Sequence, residues 1–263
     1  SENLVPLTLE LGGKSPVIVS DSSNLEITAR RVMFNKTLNA GQICLAPDYV
    51  YVHETQKDNF VEACKDQVNE FYSDLKYNPD YTSVINQKHY DRLNGLLTDA
   101  KDHGAELVEI NPANEEIIGN ASKASPEDVS KALQSAENGL NIWKNTPAWE
   151  RSYIIRRIAD RIREKKDVLA KWMALEVGKP LTEGLAEVNG SADIFEWNAE
   201  ETKRIYGQTV ESRFKDTRVH VYYQPIGVVA ALSPWNFPLV LSSRKISTAL
   251  AAGCSVIIKP DVI

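Results

Sequence analysis

The chain has 263 residues, 43% of them hydrophobic and 25% charged, with a formal net charge of -6. That is enough for one large α/β domain or two small ones, each with its own core. Acidic and basic residues are interspersed, which excludes the electrostatic footprint of a nucleic-acid binder or of a protein held to an anionic membrane, and leaves small-molecule chemistry. Cys44, Cys64 and Cys254 lie far apart without C-x-x-C spacing, so neither a metal site nor a disulfide framework is indicated, and a reducing cytoplasm fits. No apolar run approaches the roughly 18 to 20 residues of a membrane span, and SENLVPLTLELGG lacks the regions of a signal peptide. Apolar alternation starts within a few residues of Ser1, and SVIIKPDVI stops close to an apolar run, so both ends read as if cut from something longer.

Leu7, Leu9 and Leu11 alternate with Thr8 and Glu10, which predicts a short strand entering a Gly12-Gly13 turn with Glu10 on its polar side. PVIVS (16 to 20) reads as a buried strand. NLEITARRVMFNKTLNAG (24 to 41) has apolar residues at helical spacing and Gly41 just past its end, and Cys44 follows. DYVYVHE (48 to 54) is the next predicted strand, helices are predicted at about 55 to 72 and 86 to 103, and AELVEI (105 to 110) returns as a strand.

A turn at Asn111-Pro112 then marks a boundary between a catalytic piece, 1–110, and a cofactor-domain piece, 111–263. NPANEEIIGNA predicts a turn with a short strand or hairpin. SPEDVSKALQSAENGL starts a helix with Ser125 as N-cap, Pro126 in its first position and Asp128 closing a capping box. Amphipathic helices are predicted over roughly 147 to 206, with Ile154, Ile155, Ile158, Ile162, Leu169, Trp172 and Met173 as core. TRVHVYYQ and GVVAALS read as strands, PLVLSSRKISTALAAG as a helix ending at Gly253, and CSVIIK as a strand. That β-loop-α-β order builds parallel sheets, which hold ligands at their strand C-terminal ends.

Among the residues that could carry chemistry, Cys44 lies where the backbone turns from helix to strand and is either an exposed thiol nucleophile or a small buried hydrophobe. The latter is the reading for Cys64 and Cys254. Glu10, beside two glycines, is either a general base or a solvated glutamate. Asn236 in the proline-bracketed SPWNFP loop (233 to 238) is either an oxyanion donor or a turn residue. Lys245 and Lys259 are surface lysines by default, although Lys259 ends a strand where α/β proteins hold nucleotides.

LTLELGGKSP (7 to 16) with NAGQICLAPDYV (39 to 50), in which Cys44 stands 34 residues after Glu10, resembles the catalytic signature of the aldehyde dehydrogenase superfamily. NPANEEIIG (111 to 119), ALEVGKPLTE (174 to 183) and QPIGVVAALSPWNFPLVLSSRKISTALAAGCSVIIKP (224 to 260) resemble the amino-terminal part of the same family. The resemblance implies an α/β, incomplete aldehyde-dehydrogenase-like fold: a parallel-sheet, Rossmann-like piece plus a catalytic-domain α/β piece. It also implies oxidation of a small-molecule aldehyde to a carboxylic acid with NAD or NADP. Cys44 would form a thiohemiacetal and then a thioester, Asn236 and the Cys44 N–H would hold the oxyanion, Glu10 would activate water, and Lys245 would help order the site. Leu232, Ser233, Pro234 and Trp235 would line the cofactor, Lys259 would bond its adenosine ribose, and Gly12 would lie near its nicotinamide.

The order of segments is reversed relative to that family, with PWNFP and KP after the cysteine. The Gly-rich phosphate turn and the segments expected beyond GAELVEI (104 to 110) do not occur, and Val262 stands where the family carries an acidic residue. A rearranged, fused or artificially assembled fragment fits better than a circular permutant. FNKTLNAGQICLAPDYVYV (34 to 52) resembles the branch acting on fatty and aromatic aldehydes such as coniferaldehyde, and 111–260 the succinate-semialdehyde and lactaldehyde branch, which leaves the aldehyde open. The alternative is an impaired relative that acts as a scaffold or binding module, or that keeps only esterase-like thiol chemistry. Sheets short of strands would leave open edges and favour a homo-oligomer.

Overall fold

A computed structural model describes residues 12–73, 78–103 and 124–261. The expected strands over 7–11 and 105–110 and the hairpin after Asn111 lie outside the described residues. The chain divides into two compact units, residues 1–116 with 178–180, and residues 117–177 with 181–263.

In the first unit β1 (Ser15–Val19) leads into α1 (Leu25–Thr37), and β2 (Pro47–Val52) returns parallel to β1. Asn24 caps α1 by accepting a hydrogen bond from the Ile27 N–H at 3.0 Å, which satisfies one of the helix's orphan donors. Val17, Val19, Val50 and Val52 pack with Ala29, Val32 and Phe60, the last from α2 (Lys57–Phe71), into one core. The expectation that β1 is buried is corrected here. Ile18 points to the other face, 79% exposed, because among the described residues helices pack on one side of these two strands only. The helix α3 (Gln87–Asp102) follows, capped by Asn86 through the His89 N–H at 3.0 Å.

The second unit opens with α4 (Pro126–Trp143), where Ser125 and Asp128 form the reciprocal capping box. The helices α5 (Ala148–Glu164), α6 (Lys166–Val177) and α7 (Leu181–Thr202) follow. An exposed antiparallel hairpin, β3 (Gln208–Glu211) with β4 (Arg218–Val221), comes next. The unit ends in β5 (Val228–Leu232), α8 (Pro238–Ala251) and β6 (Ser255–Lys259), with β5 and β6 parallel. Ile155, Ala159, Ala192, Phe195, Ala199 and Ala251 form its main core, and the Trp143 indole donates to the Leu250 carbonyl at 2.9 Å. The small residues let α5, α7 and α8 approach closely. A second cluster joins Ala170 and Met173 of α6 to Val188 of α7.

Two further expectations are corrected. Trp172 is 60% exposed, because α6 is apolar on two faces and buries the one carrying Ala170, Met173 and Val177 while Val168, Trp172 and Leu175 face outward. Ile154, Ile158, Ile162 and Leu169 are half-buried and line a groove of about 710 Å³ along α5 and α6.

Candidate active site

Cys44 is presented by an unusual piece of backbone. The chain leaves α1 in a turn over Leu38–Gly41, in which Asn39, Ala40 and Gly41 have φ of 50°, 52° and 75°. Three consecutive residues in the left-handed region reverse the path abruptly. Gly41 adopts that region freely and Asn39 tolerates it, whereas Ala40 is strained there by about 1–2 kcal/mol. Gln42 holds the turn in place. Its side-chain amide donates to the Asn39 carbonyl at 2.9 Å and the Ser83 carbonyl at 3.1 Å, while its Oε1 accepts from the Ile85 N–H at 3.1 Å. The result leaves Cys44 exposed, whereas Cys64 is half-buried and Cys254 buried. Burial pushes the Cys64 thiol up to about 11, so it stays protonated and inert.

Gly12 has φ of 76°, and Gly13 lies beside the cysteine, where an added Cβ would stand 3.5 Å from the Cys44 carbonyl oxygen. The Gly12-Gly13 turn and the Cys44 backbone are thus neighbours. Glu10 lies outside the described residues. Gln42 is the participant that sequence reasoning missed, and its signal was a long amide between the turn glycine and the cysteine.

In the second unit the parallel register sets Leu232 opposite Lys259, and the Ser233 N–H donates to the Lys259 carbonyl at 3.1 Å. These residues therefore meet at one end of the ladder. Leu232 is 63% exposed and Ser233 is buried, its hydroxyl without a hydrogen-bond partner among the described residues. Lys259 is exposed and donates to the Pro260 carbonyl at 2.9 Å. Pro234 is exposed, Trp235 and Asn236 are half-buried in the loop before α8, and Lys245 is half-buried on α8. The groove along α5 and α6 contains none of these residues. Among the described residues no group of three or more acidic, histidine or cysteine side chains could hold a metal ion, and no helix is long and apolar enough to cross a membrane.

The first unit thus presents an exposed thiol on a turn fixed by hydrogen bonds, and the second a β-α-β unit with a lysine and a buried hydroxyl, unpartnered among the described residues, at its strand ends. The profile of the aldehyde dehydrogenase family matches residues 1–109 and 106–262, and the chain belongs to that family. It is 43% identical over 168 residues to the glutarate-semialdehyde dehydrogenase of Pseudomonas putida, which covers 64% of this chain and 35% of that protein. It is 53% identical over 126 residues to a Caulobacter vibrioides protein named "Probable coniferyl aldehyde dehydrogenase", covering 48% and 26% of the two chains. The crystal structure of an E. coli NADP-dependent enzyme superposes with a TM-score of 0.55 at 42% identity, covering 57% of this chain and 31% of that one. A betaine aldehyde dehydrogenase point mutant from Staphylococcus aureus, solved with NAD+, superposes with a TM-score of 0.55 at 35% identity, over 58% and 31%. The fold is therefore α/β and aldehyde-dehydrogenase-like, and the chain spans about a third of the length of the curated relatives it matches.

Proposed function

We propose that the chain carries the chemistry of an NAD(P)-dependent aldehyde dehydrogenase, oxidising an aldehyde to a carboxylic acid through Cys44. The observation that carries this reading is the exposed Cys44 thiol on its left-handed turn, set against the Gly12-Gly13 turn. The Cys44 thiolate attacks the aldehyde carbon, and the carbonyl oxygen becomes an oxyanion that the Cys44 N–H and the Asn236 amide stabilise by donating hydrogen bonds. A nicotinamide, when bound, supplies a hydride acceptor, and Cys44 is left holding the acyl group as a thioester. Glu10 removes a proton from water, whose attack on the thioester carbon expels the thiolate and releases the acid. Glu10 precedes Gly13 by three residues, a tether of at most about 11 Å.

The residues at the β5–β6 strand ends fit a dinucleotide. The Lys259 ammonium suits ribose hydroxyls, the buried Ser233 hydroxyl has no hydrogen-bond partner among the described residues, and Leu232, Pro234 and Trp235 offer apolar surface beside them. Gly12 is assigned to the nicotinamide side and Lys245 to ordering the loop from α8. We assign 1–110 as the catalytic piece and 111–263 as the cofactor piece. Unpaired thiols fit a reducing cytoplasm, and sheet edges left open among the described residues fit a homo-oligomer.

The test is aldehyde-dependent formation of reduced nicotinamide beside a Cys44→Ser control, over aliphatic, aromatic and semialdehyde substrates with NAD and NADP. Reduced nicotinamide in the native chain and none in the variant is expected. Equal traces from both would overturn the reading. A rise in Tm on adding NAD separates a cofactor-binding enzyme from a scaffold, because a ligand that prefers the folded state stabilises it.

A further inference from the structure

We infer that Glu187 is a positioning residue for the SPWNFP loop: from α7 its carboxylate caps α8 and so fixes where Asn236 stands. The catalytic part of this inference rests on the reading of Asn236 as an oxyanion donor. The helix α8 begins at Pro238, directly after Trp235-Asn236-Phe237, and lacks a cap of its own. Phe237 occupies the N-cap position without a side-chain hydrogen bond, and the first turn carries no acidic residue. Its first N–H groups need acceptors from elsewhere. Glu187 Oε1 accepts from the Leu239 N–H at 2.9 Å and from the Val240 N–H at 3.0 Å.

Glu187 is 6% exposed, on the face of α7 that also buries Gly184, Val188 and Ser191. A carboxylate buried there would be costly without partners. Two charge-assisted bonds and the positive end of the α8 dipole offset that cost. The loop is consequently tied at both ends. Ser233 is fixed to Lys259 of β6, Leu239 is fixed to Glu187, and Asn236 lies three residues from each anchor. Pro238 at the start of the helix restricts the backbone between Asn236 and the second anchor. Losing the carboxylate frees one end of this short span and lets the amide drift.

The experiment combines amide hydrogen exchange with steady-state kinetics on Glu187→Ala, Glu187→Gln, Asn236→Ala and the Glu187→Ala/Asn236→Ala double variant. In Glu187→Ala the Leu239 and Val240 amides are expected to exchange about tenfold faster or more while the β6 amides keep their protection, with Glu187→Gln in between. kcat is expected to fall by about tenfold or more with KM nearly unchanged, since misplacement by about 1 Å can cost a hundredfold. The double variant should lose no more than Asn236→Ala alone, because Glu187 acts through that residue.

Unchanged exchange at Leu239 and Val240, or losses that multiply in the double variant, would overturn the inference. If Asn236→Ala leaves kcat unaltered, the oxyanion assignment fails while exchange still decides the capping role. If Glu187→Ala does not fold, Glu187→Gln decides it, with faster exchange confined to Leu239 and Val240 expected and native protection contradicting it.

Discussion

Arg156 of α5 grips Glu196 and Glu200 of α7 at once, with 2.6 Å between Nη1 and Glu196 Oε1. Arg163, two turns further along α5, holds the other Glu196 oxygen at 2.6 Å and Asp193 at 2.7 Å, and Lys203 holds Glu200 at 2.7 Å. This ladder of charge runs beside the Ile155–Phe195 core and fixes how α5 sits along α7. Arg163 and then Arg156 lower the Glu196 carboxyl from 4.5, and Lys203 and then Arg156 lower Glu200 from the same value. Groups whose folded pKa is depressed stabilise the fold above their unfolded pKa, and that stability is lost as pH falls through the folded values. The urea midpoint should therefore drop below about pH 4.5, and Arg156→Met should show a smaller drop on acidification. An identical acid-side loss in the variant would remove these pairs from the explanation.

The three thiols should react at very different rates. Cys44 is exposed, Cys64 is half-buried with its pKa pushed to about 11, and Cys254 is 3% exposed. A chromogenic disulfide reagent should modify one thiol per chain rapidly under native conditions and all three in denaturant. Cys44→Ser should abolish the fast phase. A fast phase that survives in that variant would mean that the exposed thiol is another.

Gly253, with φ of 86°, ends α8 in the left-handed region, and a Cβ there would stand 2.8 Å from Pro225 Cγ and 3.5 Å from Arg151 Cζ. A proline ring cannot swing aside as a flexible side chain would. Gly253→Ala should cost about 1–3 kcal/mol in urea unfolding. In contrast, Gly139→Ala, inside α4 with nothing within 4 Å of the new methyl, should be neutral or stabilising by up to about 1 kcal/mol. A Gly253→Ala variant as stable as the native chain would contradict the close approach.

The described strands pair only in twos, and all eight strand residues of the β3–β4 hairpin are exposed. Unpaired N–H and C=O groups along such edges favour pairing between chains. Light scattering should show the mean mass rising with concentration. A monodisperse monomer throughout would count against edge pairing.

Much of the fold was legible where local chemistry acts alone. Ser125, Pro126 and Asp128 announced the start of α4, Gly253 the end of α8, and the valine-rich runs the strands of both β-α-β units, parallel pairing being expected for the second. Sequence could not decide which apolar face of α6 is buried, since Trp172 and Met173 have equal claims until α7 packs against one of them. β3 went unread because QTVE has no long alternation and forms by pairing with β4. At the candidate site, the helix stop before Cys44 left open whether the thiol is exposed or buried, and the structure exposes it, yet the devices that hold the loops stayed hidden. Gln42 reaches Ser83 and Ile85, and Glu187 reaches Leu239 and Val240, across some forty and fifty residues of chain.

The left-handed run at Asn39–Gly41 sets stability against aim. Ala40 would be relieved by glycine, which removes the steric conflict of its Cβ in that region. The same change would let the turn sample both hands of backbone, so the three bonds made by Gln42 would restrain a looser segment. A chain relaxed at this point would present its thiol over a wider range of directions. The direction in which the exposed Cys44 thiol faces is therefore tied to a strained methyl group four residues before the sulfur.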